Sequence, residues 1–137
     1  MTSDISYQAG ICNIGTPEIN RRRRLGWLGL LLTVLGFISI LGGVAFYDIP
    51  PVIGFLVGLP AFMAAIGFLQ AQQKFCVAYG LTHVQNVSLQ LGAITAIRDA
   101  DNRKKDRNKA IRMILLAIAI GLAAGALTFI LAAISSS

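Results

Sequence analysis

The sequence predicts an all-α integral membrane protein with three transmembrane helices, at about residues 25–47, 51–72 and 111–134. Three observations predict it. Only 13% of the 137 residues are charged while 55% are hydrophobic, against the roughly 25% charged expected of soluble domains. Three stretches carry no charged side chain at all: Leu25 to Tyr47 with 23 residues, Ile49 to Gln73 with 25 and Met113 to Ser137 with 25. Each exceeds the ~18 to 20 residues that cross a hydrocarbon core of about 30 Å. Finally, all twelve Lys and Arg fall in two of the four segments outside these runs, Arg21 to Arg24 before the first and eight between the second and third. Basic residues close to a span stay on the cytoplasmic side, so the expectation is an N-terminus inside and a C-terminus outside the cytoplasmic (inner) membrane.

Residues 1–16 show no hydrophobic period and are expected to be flexible. In "GTPEI" a helix start follows, with Thr16 as N-cap, Pro17 at the first helical position and Glu18 against the positive end of the dipole. The helix is expected to run on from Pro17 into the membrane, holding Arg21, Arg22, Arg23 and Arg24 at headgroup level as an anchor that binds lipid or an acidic partner. The apolar run behind them is longer than the 7 to 15 residues of a signal-sequence core. Asp48 to Pro51 leaves room only for a tight turn, so the first two spans form an antiparallel hairpin. Pro60, inside the second span, lacks an N–H and favours a kink. Gly54 with Gly58, and Gly121 with Gly125, are GxxxG pairs that allow close helix packing.

Residues 81–110 form a cytoplasmic linker in two parts. Leu81, Val84, Val87, Leu91, Ile94 and Ile97 recur at helical spacing, which predicts an amphipathic surface helix. "VSLQL" within it alternates as a strand would, and Gly80 and Gly92 weaken a helix. The second part, Arg98 to Arg112, holds seven basic and three acidic residues. It reads as the solvated foot of the third helix, with Asp101 and Lys105 one turn apart and Lys104 and Lys105 free to meet lipid or a partner. Without interleaved aromatic residues or a folded reader, it does not point to nucleic acid.

From Asn13 to about Gly80 the chain resembles the YgaP-type inner-membrane module, a two-helix hairpin found alone or fused to a rhodanese sulfurtransferase domain. Asn13, Gly15, Arg22 and Gly26 match its opening pattern, with Glu18 in place of its acidic residue. Phe75, Cys76 and Tyr79 match the pattern after its second helix. Val77 stands where the family often has proline, Cys12 is an addition, and a third helix follows. The sequence has no rhodanese domain, so a sulfur-transfer role implied by the resemblance requires a separate partner.

The spans contain no Asp, Glu, Lys, Arg or His, which argues against proton relays and charged-ion pathways. Chemistry is therefore expected at the cytoplasmic face, where the candidate thiols are Cys12 and Cys76. The nearby arginines and the helix N-terminus would favour a thiolate at Cys12. Cys12, Cys76 and His83 fall one ligand short of a closed tetrahedral metal set, so no metal or other cofactor is expected. His83 reads as a polar-edge residue, and Tyr79 and Trp27 as interface anchors. Three functions remain. One is a non-catalytic accessory or scaffold subunit, with a protein partner or a second copy. Another is a thiol-based sulfur-carrying or redox module. The third is an oligomeric channel for an uncharged solute.

Overall fold

A computed structural model describes residues 6–137. Helix α1 covers Thr16–Tyr47 without a break. A 3-10 helix at Pro51–Val57 leads into α2 at Gly58–Gln73, and the short α3 covers Val77–Thr82. Two-residue strands β1 (Val84–Gln85) and β2 (Thr95–Ala96) pair antiparallel before α4, Ala100–Ser135. The first helix, the combined stretch Pro51–Gln73 and α4 are each long and apolar enough to cross a membrane. Large apolar side chains such as Leu31, Leu35, Ile38, Leu115 and Leu122 are exposed along them.

Helix α1 begins one residue earlier than expected. Gly15, not Thr16, is the N-cap, and its carbonyl accepts the Ile19 N–H at 3.0 Å. A Cβ at Gly15 would stand 2.6 Å from the Ser88 carbonyl oxygen, so the chain crossing there excludes any side chain. At the other end Asp48 closes the helix in the left-handed region, φ 54°, and starts the turn into the second span. That span is irregular ahead of Pro60 rather than at it. Its first seven residues are 3-10, and Pro60 falls in the first turn of α2, where a missing N–H is tolerated best.

Helix α2 is the central element, packed on α1 by one face and on α4 by another. Small residues set both crossings. A Cβ on Gly67 would lie 2.5 Å from the Gly26 nitrogen, and Gly29 abuts the Ala64 backbone. On the other face, a Cβ on Gly58 would lie 2.7 Å from the Gly121 oxygen, and one on Gly121 would lie 2.8 Å from the Gly58 oxygen. Gly54 meets Phe129 and Gly125 meets Phe55. In both pairs the residue numbers run in opposite senses, so neighbours are antiparallel. The N-terminal ends of α1 and α4 and the C-terminal end of α2 therefore share one end of the bundle.

The segment 81–97 is not the expected surface helix. His83, at φ 63°, ends α3 in the left-handed region. Asn86 then organises a turn: its Oδ1 accepts from the Ser88 hydroxyl at 2.6 Å, and its Nδ2 donates to the Gln90 carbonyl at 2.8 Å. Gly92 takes φ 77°, and the Ile97 N–H returns to the His83 carbonyl at 2.9 Å. Side-chain capture of the backbone by Asn86 competes with helical bonding. The apolar stripe is consequently dispersed, with Ile97 buried while Leu81, Leu91 and Ile94 are exposed.

Nor are the described residues ahead of α1 loose. Gln8 bridges to Cys12 and Ile14 to Asn86, and Asn13 and Ile14 are wholly buried. The rest of the expected flexible segment, Met1 to Ile5, lies outside the described residues.

Candidate functional site

Where the three helix ends meet, polar side chains from distant parts of the chain interlock. Lys74, at φ 53°, stops α2, and its N–H stays on the Gln70 carbonyl. This reversal places Cys76 as the N-cap of α3. A cysteine caps poorly; Gln70 supplies an acceptor instead, its Oε1 taking the Val77 N–H at 3.0 Å, and Cys76 itself is held by Asn13. Its Oδ1 accepts the Cys76 N–H at 2.6 Å, while its Nδ2 donates to the Cys76 carbonyl at 3.1 Å. The backbone of Asn13 donates to the Lys74 carbonyl at 3.1 Å and accepts from the Asn86 N–H at 2.9 Å. One buried asparagine thus ties the N-terminal segment to both the α2–α3 turn and the β1 end.

Beside it lies a buried ionic group. Glu18 is 1% exposed, and its Oε1 accepts from the Tyr79 hydroxyl at 3.1 Å and the Gly92 N–H at 3.2 Å. One turn on, Arg22 stands 3.8 Å from Glu18 Oε2 and donates through Nη2 to the Cys76 sulfur at 3.0 Å. Cys76 packs with Ile14, Ile19 and Ala71, and Tyr79 rests on that cluster. Across the bundle foot, buried Asp106 of α4 accepts from the Tyr7 hydroxyl and from the Gly10 N–H, both at 2.7 Å. Lys109 donates to the Ile11 carbonyl at 3.0 Å and lies over the Phe75 ring.

The four arginines divide by direction. Arg22 turns inward, whereas Arg21, Arg23 and Arg24 are exposed. Cys12 is buried, and its Sγ lies 3.6 Å from the Ile14 carbonyl. Burial pushes its thiol up from the ordinary value, which reverses the expected thiolate: the arginine donor reaches Cys76 instead. Tyr79 is no outward anchor, since its hydroxyl is spent on Glu18. Lys104 is exposed, and Lys105 pairs with Asp101 at 3.1 Å on the open surface, where such a pair contributes little. His83 caps α3 rather than edging a surface helix. Among the described residues, no three His, Cys, Asp or Glu side chains gather as a metal-binding group.

Sequence reasoning missed Tyr7, Asn86 and Asp106, the last of which reads in the sequence as part of the solvated foot. For Asp106 a signal was present. Asp106, Ala110, Met113, Ala117, Gly121 and Gly125 continue one buried face of α4 at spacings of three and four residues.

Tyrosine hydroxyls at this foot make it sensitive to alkali. Burial first, then Asp106, raises the phenol of Tyr7 well above its usual range, and burial with Glu18 raises that of Tyr79. A group whose pKa is raised on folding contributes stability that is fully present below its unfolded value, about 10 for tyrosine, and lost as pH climbs through the folded one. Stability is therefore expected to fall above about pH 10, and Tyr7→Phe with Tyr79→Phe to flatten that fall. An unchanged slope in a pH series of thermal melts would exclude the two phenols as its source.

Fold and site together define a class: helical proteins with three helices able to span a bilayer and a buried polar lock where three helix ends converge. Comparison with protein-family models, with curated proteins and with solved structures finds no match.

Proposed function

We propose that the protein is a non-catalytic integral membrane subunit, an accessory or scaffold protein of the cytoplasmic membrane with its N-terminus inside. The observation that carries this reading is how the foot uses its polar groups. Asn13, Glu18, Arg22, Cys76, Tyr79 and Asp106 are engaged with one another or with backbone, while Arg21, Arg23, Arg24 and Lys104 point outward. Chemistry would need an accessible reacting group; a scaffold needs a rigid foot and a charged rim. Residues that carry the likeness to the YgaP-type module, Asn13, Glu18, Arg22, Cys76 and Tyr79, lie within this lock, which favours a structural role for them.

The Arg22 contact to the Cys76 sulfur favours a second reading, a thiol module acting with a separate partner. Both thiols are buried, at 7% exposure for Cys12 and 0% for Cys76. The two readings separate by tagging with a maleimide in native membranes. Under the first, both cysteines react at least about tenfold more slowly than an exposed reference such as Asn108→Cys in a cysteine-free chain, because reaction awaits local opening. Rapid labelling of Cys76, matching the reference, would overturn the scaffold reading. For Cys12 the raised pKa adds that labelling should quicken as pH increases from 7 to 9.

A further inference from the structure

The lock accounts for Arg22 but leaves Arg21 and Arg24 unassigned. These two lie one turn apart on one face of α1, and among the described residues neither pairs with a carboxylate. Beside them is a groove of about 420 Å³ between α1 and the loop that follows β1. Asn20, Arg21 and Arg24 supply its polar lining, and Leu25, Leu28 and Leu91 its apolar walls. No acidic residue lines it.

The order of these residues along α1 is the argument. Toward the foot stand two guanidinium groups, which pair well with phosphate oxygens. Four residues further into the apolar run, Leu25 and Leu28 begin the surface that would meet acyl chains. Leu91 comes from a different element. Its loop is held against α1 by the Gly92 N–H on Glu18 at 3.2 Å and the Gly15 N–H on the Asn86 carbonyl at 2.8 Å. Leu89, Leu91 and Ile94 of that loop are 66%, 59% and 57% exposed. Such a loop, apolar at the level of an arginine collar, suits the boundary between headgroups and chains.

We propose that this groove is a binding site for one anionic phospholipid, its phosphodiester held by Arg21 and Arg24 and the start of an acyl chain lying along Leu25, Leu28 and Leu91. The site rests on the membrane reading above and deepens it, by naming a lipid class and two of the three outward arginines. Arg23 points elsewhere and takes no part.

The test uses the full chain, purified in mild detergent and titrated with phosphatidylglycerol or phosphatidylcholine, with retained lipid counted by native mass spectrometry. One phosphatidylglycerol is expected to be held in preference to phosphatidylcholine. The double variant Arg21→Gln, Arg24→Gln should weaken retention about thirtyfold, while Arg23→Gln stays within about twofold. Leu91→Asp should also weaken it, and inorganic phosphate should fail to displace the lipid, which distinguishes a phospholipid from a free anion. Circular dichroism and elution volume establish that each variant is folded. An equal loss with Arg23→Gln would mean a diffuse cationic collar and overturn the site, as would equal retention of phosphatidylcholine or displacement by phosphate. Membrane integration is measured separately by resistance to alkaline extraction. A chain that resists extraction but shows no lipid preference refutes the groove alone, whereas one that is extracted refutes the membrane reading.

Discussion

Asn13→Ala is expected to destabilise the fold by about 2 to 4 kcal/mol. The Cys76 carbonyl would keep a donor, because the Gly80 N–H also reaches it at 3.0 Å. The Cys76 N–H would not, since its acceptor is Asn13 Oδ1 at 2.6 Å and the residue is wholly buried. A stranded buried donor costs about 1 to 3 kcal/mol, and the vacated amide volume adds to it. Loss of the clamp should also free residues 7–15, making them cleavable by protease before the helices unfold. Asn20→Ala is the matched control: Asn20 is exposed on α1, and its change should stay within about 0.5 kcal/mol. Denaturant titration in mixed micelles reads both. Equal midpoints for the two variants would show that the clamp contributes nothing measurable.

Gly67→Leu should separate α1 from α2. Even the first carbon of a side chain there would fall 2.5 Å from the Gly26 nitrogen and 3.0 Å from the Arg22 carbonyl oxygen. Both obstacles are backbone, so no rotamer change relieves the overlap, and the helices must move apart. Overpacking ordinarily costs about 1 to 3 kcal/mol. A leucine against backbone should reach or exceed the top of that range, and it would displace Arg22 from Cys76 as well. Gly42→Leu provides the contrast, because a Cβ on Gly42 meets nothing within 4 Å. The expected result is a lower unfolding midpoint and faster maleimide labelling of Cys76 in Gly67→Leu, with neither change in Gly42→Leu. If Gly67→Leu kept the native midpoint, the close α1–α2 crossing would be wrong.

Much of the architecture was legible beforehand because it depends on neighbours along the chain. Charge-free runs of sufficient length marked all three long helices, and "YDIPP" marked the turn between the first two. Asp101 and Lys105 pair on α4 at the spacing expected of them. Failures came where a local pattern met a distant partner. The stripe from Leu81 to Ile97 has a helical period, yet Asn86 and Gly92 capture or bend the backbone and Ile14 bridges to Asn86. Asp106 reads as one charge among ten in a basic run, yet it is buried because Tyr7 and Gly10 supply its donors from nearly a hundred residues away. The two thiols were weighed by which charges stand near them in sequence. Folding gave the arginine to Cys76, 54 residues from Arg22, and left Cys12 beside a carbonyl.

What the sequence by itself determined is the number, length and position of the helices able to cross a bilayer, because hydropathy is summed over contiguous residues. Only the tertiary structure decided which of four adjacent arginines turns inward, which cysteine meets it, and what becomes of residues 81–97. Those outcomes hang on buried hydrogen bonds between segments far apart in the chain. A buried donor or acceptor left unmatched costs more than a local propensity returns, so long-range pairing overrides local period wherever the two disagree.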